Sequence, residues 1–259
     1  MNYFVEGLQG SGKSTLAKKI AEKHPECKHL EEGDYSPVEL AWCAYLSKEE
    51  YERVLKDYPE LSSEITEKSH PENDRMVVCY TKIMTDNFGF YNDLEQFEIY
   101  NNRVSFEDFK AIILSRFKNW KEDGFVFECS LFQNIVEDMI LFREQSDEEI
   151  IAFFREIKDT IKDMPVKIVY LESKPDDIRK NLETARKDRT DEAGNEVWYQ
   201  IMCDYFNNSP YAVKNGLKDE EGLIEHWTHR QELELRICKE VFPEQNVILQ
   251  SKEYGDIEF

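Results

Sequence analysis

Gly7-Leu8-Gln9-Gly10-Ser11-Gly12-Lys13-Ser14 sits between an apolar run, Tyr3-Phe4-Val5, and a helical pattern from about Lys13 to Lys23. The spacing G-x-x-x-x-G-K-[ST] is that of a loop whose backbone N–H groups converge on phosphate oxygens, because Gly7, Gly10 and Gly12 set no Cβ in the way. Lys13 then reaches the β- and γ-phosphates, the Ser14 hydroxyl ligates Mg²⁺, and the helix turns its positive end toward the anion. Strand, loop and helix in that order predict the first unit of an α/β sheet.

Working outward, the short apolar runs Cys27 to Leu30, Phe125-Val126-Phe127, Val166 to Leu171 and Val247-Ile248-Leu249 are each bounded by charge or turn residues. Long stretches of helical period separate them, such as Ser105 to Lys121, which opens on Ser105 with Asp108, and about Leu223 to Val241. Continuous apolar strands alternating with helices predict a five-stranded parallel sheet covered on both faces. Lys48 to Arg75 is charged, with sparse apolar positions (Tyr51, Val54, Leu55, Tyr58, Leu61, Ile65), and reads as exposed amphipathic helices broken at Pro59 and Pro71. It is taken as part of an insertion spanning about 46–104, inside one domain covering 1–259. Phe88, Phe90, Tyr91, Phe97 and Tyr100, with Asn101-Asn102, read as core and hairpin turn in preference to an acceptor pocket.

Composition narrows the partners. The chain has 259 residues with 33 Lys+Arg against 54 Asp+Glu, a formal charge of −21, which opposes nucleic-acid binding but leaves a small anion admissible. No apolar run is long enough to span a membrane and no leader pattern opens the chain, so a cytoplasmic, non-membrane protein is expected. Cys27, Cys43, Cys79, Cys129, Cys203 and Cys238 are scattered without a C-x-x-C pair, which predicts free buried thiols in place of a disulfide framework or zinc site.

In open α/β sheets ligands gather at the carboxyl ends of the strands. Those ends carry Glu31, Glu32 and Asp34, then Trp42; Glu128 and Ser130; and a helix with Arg179, Arg186 and Arg189 followed by a loop with Gly194. Glu6 to Thr15 resembles the opening of the P-loop kinases of nucleosides and nucleoside monophosphates, especially the thymidylate and deoxynucleoside kinases. Glu32-Gly33-Asp34 through Trp42 is similar to their acidic segment, where a carboxylate serves as base and a Trp shapes the acceptor pocket. Glu128-Cys129-Ser130 stands where they carry an acid and then Arg, so Cys129 departs from their pattern. Tyr170-Leu171-Glu172 through Arg189 is similar to their fourth strand and arginine-bearing lid. The resemblance covers roughly half of the chain and implies a three-layer P-loop NTPase fold, with a lid at about 179–222, ATP and Mg²⁺ as cofactors, and Thr15 among the nucleotide-binding residues.

Phosphoryl transfer needs a phosphate cradle, a metal, lid cations and a carboxylate at the acceptor hydroxyl. Asp34 is the first choice as base, with Glu31 and Glu32 as competitors. Glu128, a carboxylate ending an apolar strand, is expected to serve Mg²⁺ together with Ser14. Ser130 holds a water or acceptor, or caps the next helix. Arg186 and Arg189, three apart, close over the phosphates as a lid, or else pair with Asp188, Asp191 and Glu192; Arg179 is structural. His226 and His229 resemble half a metal site without a third ligand. The expected activity is ATP-dependent transfer to a small-molecule acceptor, a nucleoside or nucleotide ahead of a sugar or antibiotic. A nucleotide-operated switch or hydrolase and a non-turning-over scaffold are the alternatives. Asp86-Asn87-Phe88-Gly89 matches D-x-x-G, but no N-K-x-D follows to read guanine. Oligomeric state is not legible.

Overall fold

The computed structural model describes residues 1–191 and 193–255, so Glu192 lies outside the described residues. The chain divides into two compact units, Met1–His29 with Lys121–Phe259, and Leu30–Trp120. In the first, β1 (Asn2–Gly7) leads through the glycine loop into α1 (Lys13–Lys23), and β2 (Lys28–Leu30) ends at its border with the second. The second unit runs β3 (Ala44–Ser47), α2 (Lys48–Asp57), a 3-10 turn (Pro59–Leu61), α3 (Ser62–Glu67), β4 (Ser69–Glu72), β5 (Arg75–Val78), a second 3-10 turn (Tyr80–Lys82), α4 (Phe88–Glu95) and α5 (Phe106–Asn119). The first unit resumes with β6 (Phe125–Glu128), α6 (Gln133–Leu141), α7 (Asp147–Thr160), β7 (Val166–Glu172), α8 (Pro175–Asp188), α9 (Val197–Asn207), α10 (Pro210–Asn215), α11 (Asp219–Glu240) and β8 (Asn246–Gln250).

The first unit is built on a five-stranded parallel sheet in the order β2-β6-β1-β7-β8, flanked by helices. Strand side chains alternate between faces, and the two faces have different partners. Tyr3 and Val5 of β1 pack with Val126, Val169 and Leu171 against Leu16, Ala17 and Ile20 of α1. Phe4, Glu6 and Tyr170 point the other way: Phe4 stacks on Phe127 at 4.6 Å, and the Tyr170 hydroxyl meets Glu234 of α11. Because the strands are parallel, their carboxyl ends, and the loops that follow β1, β6 and β7, share one edge of the sheet.

The second unit has a core and a sheet of its own. Antiparallel strands in the order β3-β5-β4 form its sheet: β3 precedes the run expected to be helical, and β4 with the start of β5 replaces the end of that run, with Asn73 at φ +55° in the β4–β5 turn. Pro71 did not break a helix; it sits in β4, an edge strand, where a missing N–H costs no ladder bond. Nor are α2 and α3 simply exposed. Val54, Tyr58, Leu61 and Ile65 are buried against Ala44, Val78, Phe90 and Leu94. The first four are sparse apolar positions of the sequence, and they gather into one buried stripe while the charged positions face outward. Ser47 and Glu50 form a reciprocal capping box at the start of α2, and Ser105 caps α5 by accepting from the Asp108 N–H at 3.1 Å. Phe90 and Tyr100 are buried, whereas Phe88 is 78% exposed. Asn101 and Asn102 both adopt positive φ in a turn, but it joins α4 to α5, so the expected hairpin is absent there.

Candidate functional site

The loop after β1 is shaped by glycine where no other residue fits. Gly7 has φ +139° and an added Cβ would lie 2.6 Å from the Leu171 carbonyl oxygen; Gly12 has φ +98° and its Cβ would lie 2.4 Å from the Tyr254 hydroxyl. Gly12 is also the N-cap of α1, and no side chain caps that helix. The first helical hydrogen bond runs from Leu16 N–H to the Gly12 carbonyl at 3.1 Å, which leaves the N–H groups of Lys13, Ser14 and Thr15 ahead of it. Free N–H groups at a helix start are donors of the kind an anion takes. The Lys13 ammonium, buried, donates to the carbonyls of Gly7 at 2.9 Å and Leu8 at 2.8 Å. The Ser11 side chain is fully buried and its hydroxyl has no partner.

Ser14 and Glu128, separated by 114 positions, come together: the Ser14 hydroxyl donates to a Glu128 carboxylate oxygen at the end of β6. Glu128 is buried, on a strand paired with β1 and opposite Val5. The pair offers two oxygen donors of the kind a hard cation takes. Ser130 does not cap the next helix. Its hydroxyl donates to the Glu128 carbonyl at 3.1 Å, and α6 starts two residues later than that reading requires. The capping acceptor there is Glu6 of β1, whose carboxyl takes the Leu131 N–H at 2.8 Å and the Gln133 N–H at 3.4 Å. Full burial pushes the Glu6 carboxyl up to about 8 against the lowering effect of these two bonds and of Lys13.

A second group braces the loop from behind. Arg230 of α11 is fully buried and donates to Gln9 of the loop at 2.7 Å. Its guanidinium also pairs with Glu137 of α6 and lies 3.3 Å from Glu234. Burial opposes the Glu137 charge, but Arg230 and His226 outweigh it and hold that carboxyl down to about 2. For Glu234 burial dominates, and its carboxyl is raised while it accepts from the Tyr170 hydroxyl at 2.7 Å. From the far end of the chain, Ser251 donates to the Ser11 carbonyl at 2.8 Å and Tyr254 to the Gly12 carbonyl at 2.7 Å. None of these was legible from motif spacing except through one cue: Glu137-Asp138 interrupts an otherwise apolar run from Ile135 to Leu141, the mark of charges buried with partners.

The expected lid cations are engaged elsewhere. Arg186 pairs with Glu196 and Glu220 and stacks on Tyr199 at 4.4 Å, and Arg189 stacks on Trp198 at 4.6 Å. Among the described residues neither makes a hydrogen bond or ion pair with the Gly7–Ser14 loop. Arg179 binds Glu220 and Glu221, both at 2.7 Å, a structural clamp between α8 and α11. His226 is buried beside Glu137, and His229 pairs with Asp147 at 2.9 Å. Among the described residues no group of three or more His, Cys, Asp or Glu is arranged to hold a metal.

Glu31, Glu32 and Asp34 belong to the second unit, where they shape their own turn. Asp34 accepts from the Glu31 N–H at 2.9 Å and pairs with Lys82 at 3.2 Å, and Glu32 accepts from the Trp42 indole at 3.1 Å. Trp42 itself is half exposed at φ +64°. No family model matches the chain, and a comparison with curated proteins likewise gives no match. No helix among the described residues is long and apolar enough to cross a membrane.

Proposed function

We propose that this chain is an ATP- and Mg²⁺-dependent phosphotransferase of the P-loop kinase type, acting on a small-molecule hydroxyl or phosphate, with a nucleoside or nucleotide as the favoured acceptor. The observation that carries the reading is the meeting of Ser14 with Glu128 beside an uncapped helix start and a buried lysine that donates to carbonyls of its own loop. The donor set fits the groups implied. Backbone N–H groups and Lys13 suit a polyphosphate, and one hydroxyl with one carboxylate suits Mg²⁺, which takes few protein ligands and completes its shell with water and phosphate oxygens. When bound, Mg²⁺ neutralises charge on the phosphate oxygens.

The protein's own contribution is positioning. Lys13 exchanges the Gly7 and Leu8 carbonyls for phosphate oxygens, a trade of neutral for charged acceptors that strengthens each bond. Gln9, held by Arg230, keeps the loop in register. Arg186 and Arg189 serve as lid cations once they leave Glu196, Glu220 and Trp198, so closure competes with ion pairs already formed. Asp34 is the proposed base, and its proton-accepting role requires release from Lys82.

Calorimetry with ATP and Mg²⁺, followed by an ADP-release screen across nucleosides, nucleoside monophosphates, sugars and aminoglycosides, tests this. Binding and turnover are expected, with both lost in Lys13→Ala. Absence of binding heat, or turnover that survives Lys13→Ala, overturns the reading. Phosphate release that needs no acceptor replaces it with a nucleotide-operated switch.

A further inference from the structure

The second unit contains a pair of thiols that the proposed phosphoryl chemistry does not use. Cys43 and Cys79 are both buried, and their sulfurs are 3.7 Å apart. The β3–β5 register runs Ser47↔Arg75, Leu46↔Met76, Tyr45↔Val77, Ala44↔Val78, so the next opposed pair is Cys43 with Cys79. Neither cysteine spends its N–H on the other: Cys43 donates to the Leu40 carbonyl at 3.1 Å and Cys79 to the Lys68 carbonyl at 3.0 Å. Tyr45, two residues on, likewise donates away from β5, to Phe97 at 2.8 Å. The cysteines therefore occupy a non-hydrogen-bonded position of the ladder, where side chains approach most closely and the backbones are about 4.5 Å apart. That separation lies inside the range a disulfide spans.

We propose that Cys43 and Cys79 are a reversible dithiol site for hydrogen peroxide, closing to a disulfide that ties the start of β3 to the exit of β5. The sulfurs need to approach by about 1.7 Å to reach bonding distance. The roles of the two thiols differ. Cys43 donates its S–H to Cys79; that bond lowers the Cys79 thiol against burial and Asp34, with Lys82 and Lys68 helping, and raises that of Cys43. Cys79 is thus the attacking thiolate. Its sulfur takes one peroxide oxygen, the O–O bond breaks, and the departing hydroxide recovers the proton Cys79 had released, giving water and a sulfenic acid. The Cys43 sulfur then displaces the sulfenic oxygen, which leaves as a second water with the Cys43 proton. Burial favours a small hydroperoxide over a bulky disulfide oxidant, since attack by either requires access to sulfur.

The site lies directly under the acidic turn. The Cys43 sulfur is 3.9 Å from the Gly33 carbonyl, and Thr81, two residues from Cys79, donates to the Trp42 carbonyl at 3.2 Å. Gly33 is at φ +84°, with a Cβ position 3.0 Å from the Thr81 hydroxyl, so the turn has little room to absorb movement of the strands beneath it. Closing the disulfide withdraws the Cys43 sulfhydryl from Gly33 and shifts the Glu31–Asp34 turn. The inference stands on the second unit alone and does not depend on the nucleotide reading.

The test treats the full-length native protein with hydrogen peroxide, blocks remaining thiols by alkylation, and maps the digest. A Cys43–Cys79 linked peptide is expected, with a higher melting midpoint, both reversed by dithiothreitol and both absent in Cys43→Ala and Cys79→Ala. Glutathione disulfide at the same concentration should form the link roughly tenfold more slowly or less. The proposal is overturned if peroxide leaves both thiols open to alkylation after brief unfolding, or carries Cys79 to sulfinic acid with no link to Cys43. Should either alanine variant fail to fold, the wild-type map and its reversal by dithiothreitol decide the matter.

Discussion

Arg230→Met keeps most of the buried stem and removes the guanidinium fork, so it isolates the charge that holds α11 to α6 and to the loop. Arg230 is fully buried, and removing it leaves Glu137 ionised and buried with His226 at 3.3 Å as its remaining partner. Breaking a buried pair from one side costs about 3–5 kcal/mol. The direction agrees: against the effect of burial, Arg230 with His226 holds the Glu137 carboxyl down to about 2. For a unit of this size the melting midpoint should fall by roughly 6–20 °C. The assay is calorimetric or urea unfolding, with fluorescence of Trp227, buried on the same helix, reporting on α11. Glu137 is lowered in the folded state, so its contribution is present above about pH 4.5 and drains away as pH falls toward 2. Arg230→Met should flatten that acid limb. Replacing both partners, Arg230→Met with Glu137→Leu, should recover stability to within about 1 kcal/mol of wild type, because the unpaired charge is then gone. The reasoning is refuted if the single variant melts within a degree or two of wild type, or if the double variant is as unstable as the single.

Glu6→Gln addresses the opposite limb. The Glu6 carboxyl is raised from 4.5 to about 8, so its contribution is intact below the lower value and is lost as pH rises between them; the variant should flatten stability across that window, and an unchanged slope in urea midpoints would rule out Glu6 as the titrating group. Ser47→Ala removes the acceptor that takes the Glu50 N–H at 3.2 Å and should cost about 1 kcal/mol, read as a lower urea midpoint of the second unit and counted against the capping argument if no loss is seen. Under the proposed function, Asp34→Asn should lower turnover by roughly a hundredfold or more while leaving ATP affinity in place; parallel loss of both would remove Asp34 as base and make it a residue that shapes its turn.

How much of this was legible follows from which interactions are local. The glycine loop could be read because φ above zero and a missing Cβ are properties of single residues, and Gly7 and Gly12 are both confined by close neighbours. Five strands could be read because strands buried on both faces are continuous apolar runs, and each expected run falls on an observed strand to within a few residues. The three-stranded antiparallel sheet could not, since Ser69–Glu72 is Ser-His-Pro-Glu, a polar stretch with a proline, and the apolar Met76, Val77 and Val78 of its partner strand do not by themselves name the strands they pair with. Their pairing is an agreement between distant strands.

The sequence by itself determined the alternation of strand and helix, the place and backbone shape of the loop, and the start of α5 at Ser105, because turn chemistry, side-chain period and capping act within a few residues. Only the tertiary structure decided that Ser14 meets Glu128, that Glu6 caps α6, that Arg230 reaches Gln9 across 221 positions, and that Cys43 faces Cys79. Each of these is a polar or sulfur contact between residues far apart in the chain, the Glu6 and Cys43–Cys79 contacts fully buried and the other two partly so. The partner is then whichever residue the sheet order and register bring within reach, and no local spacing encodes that choice.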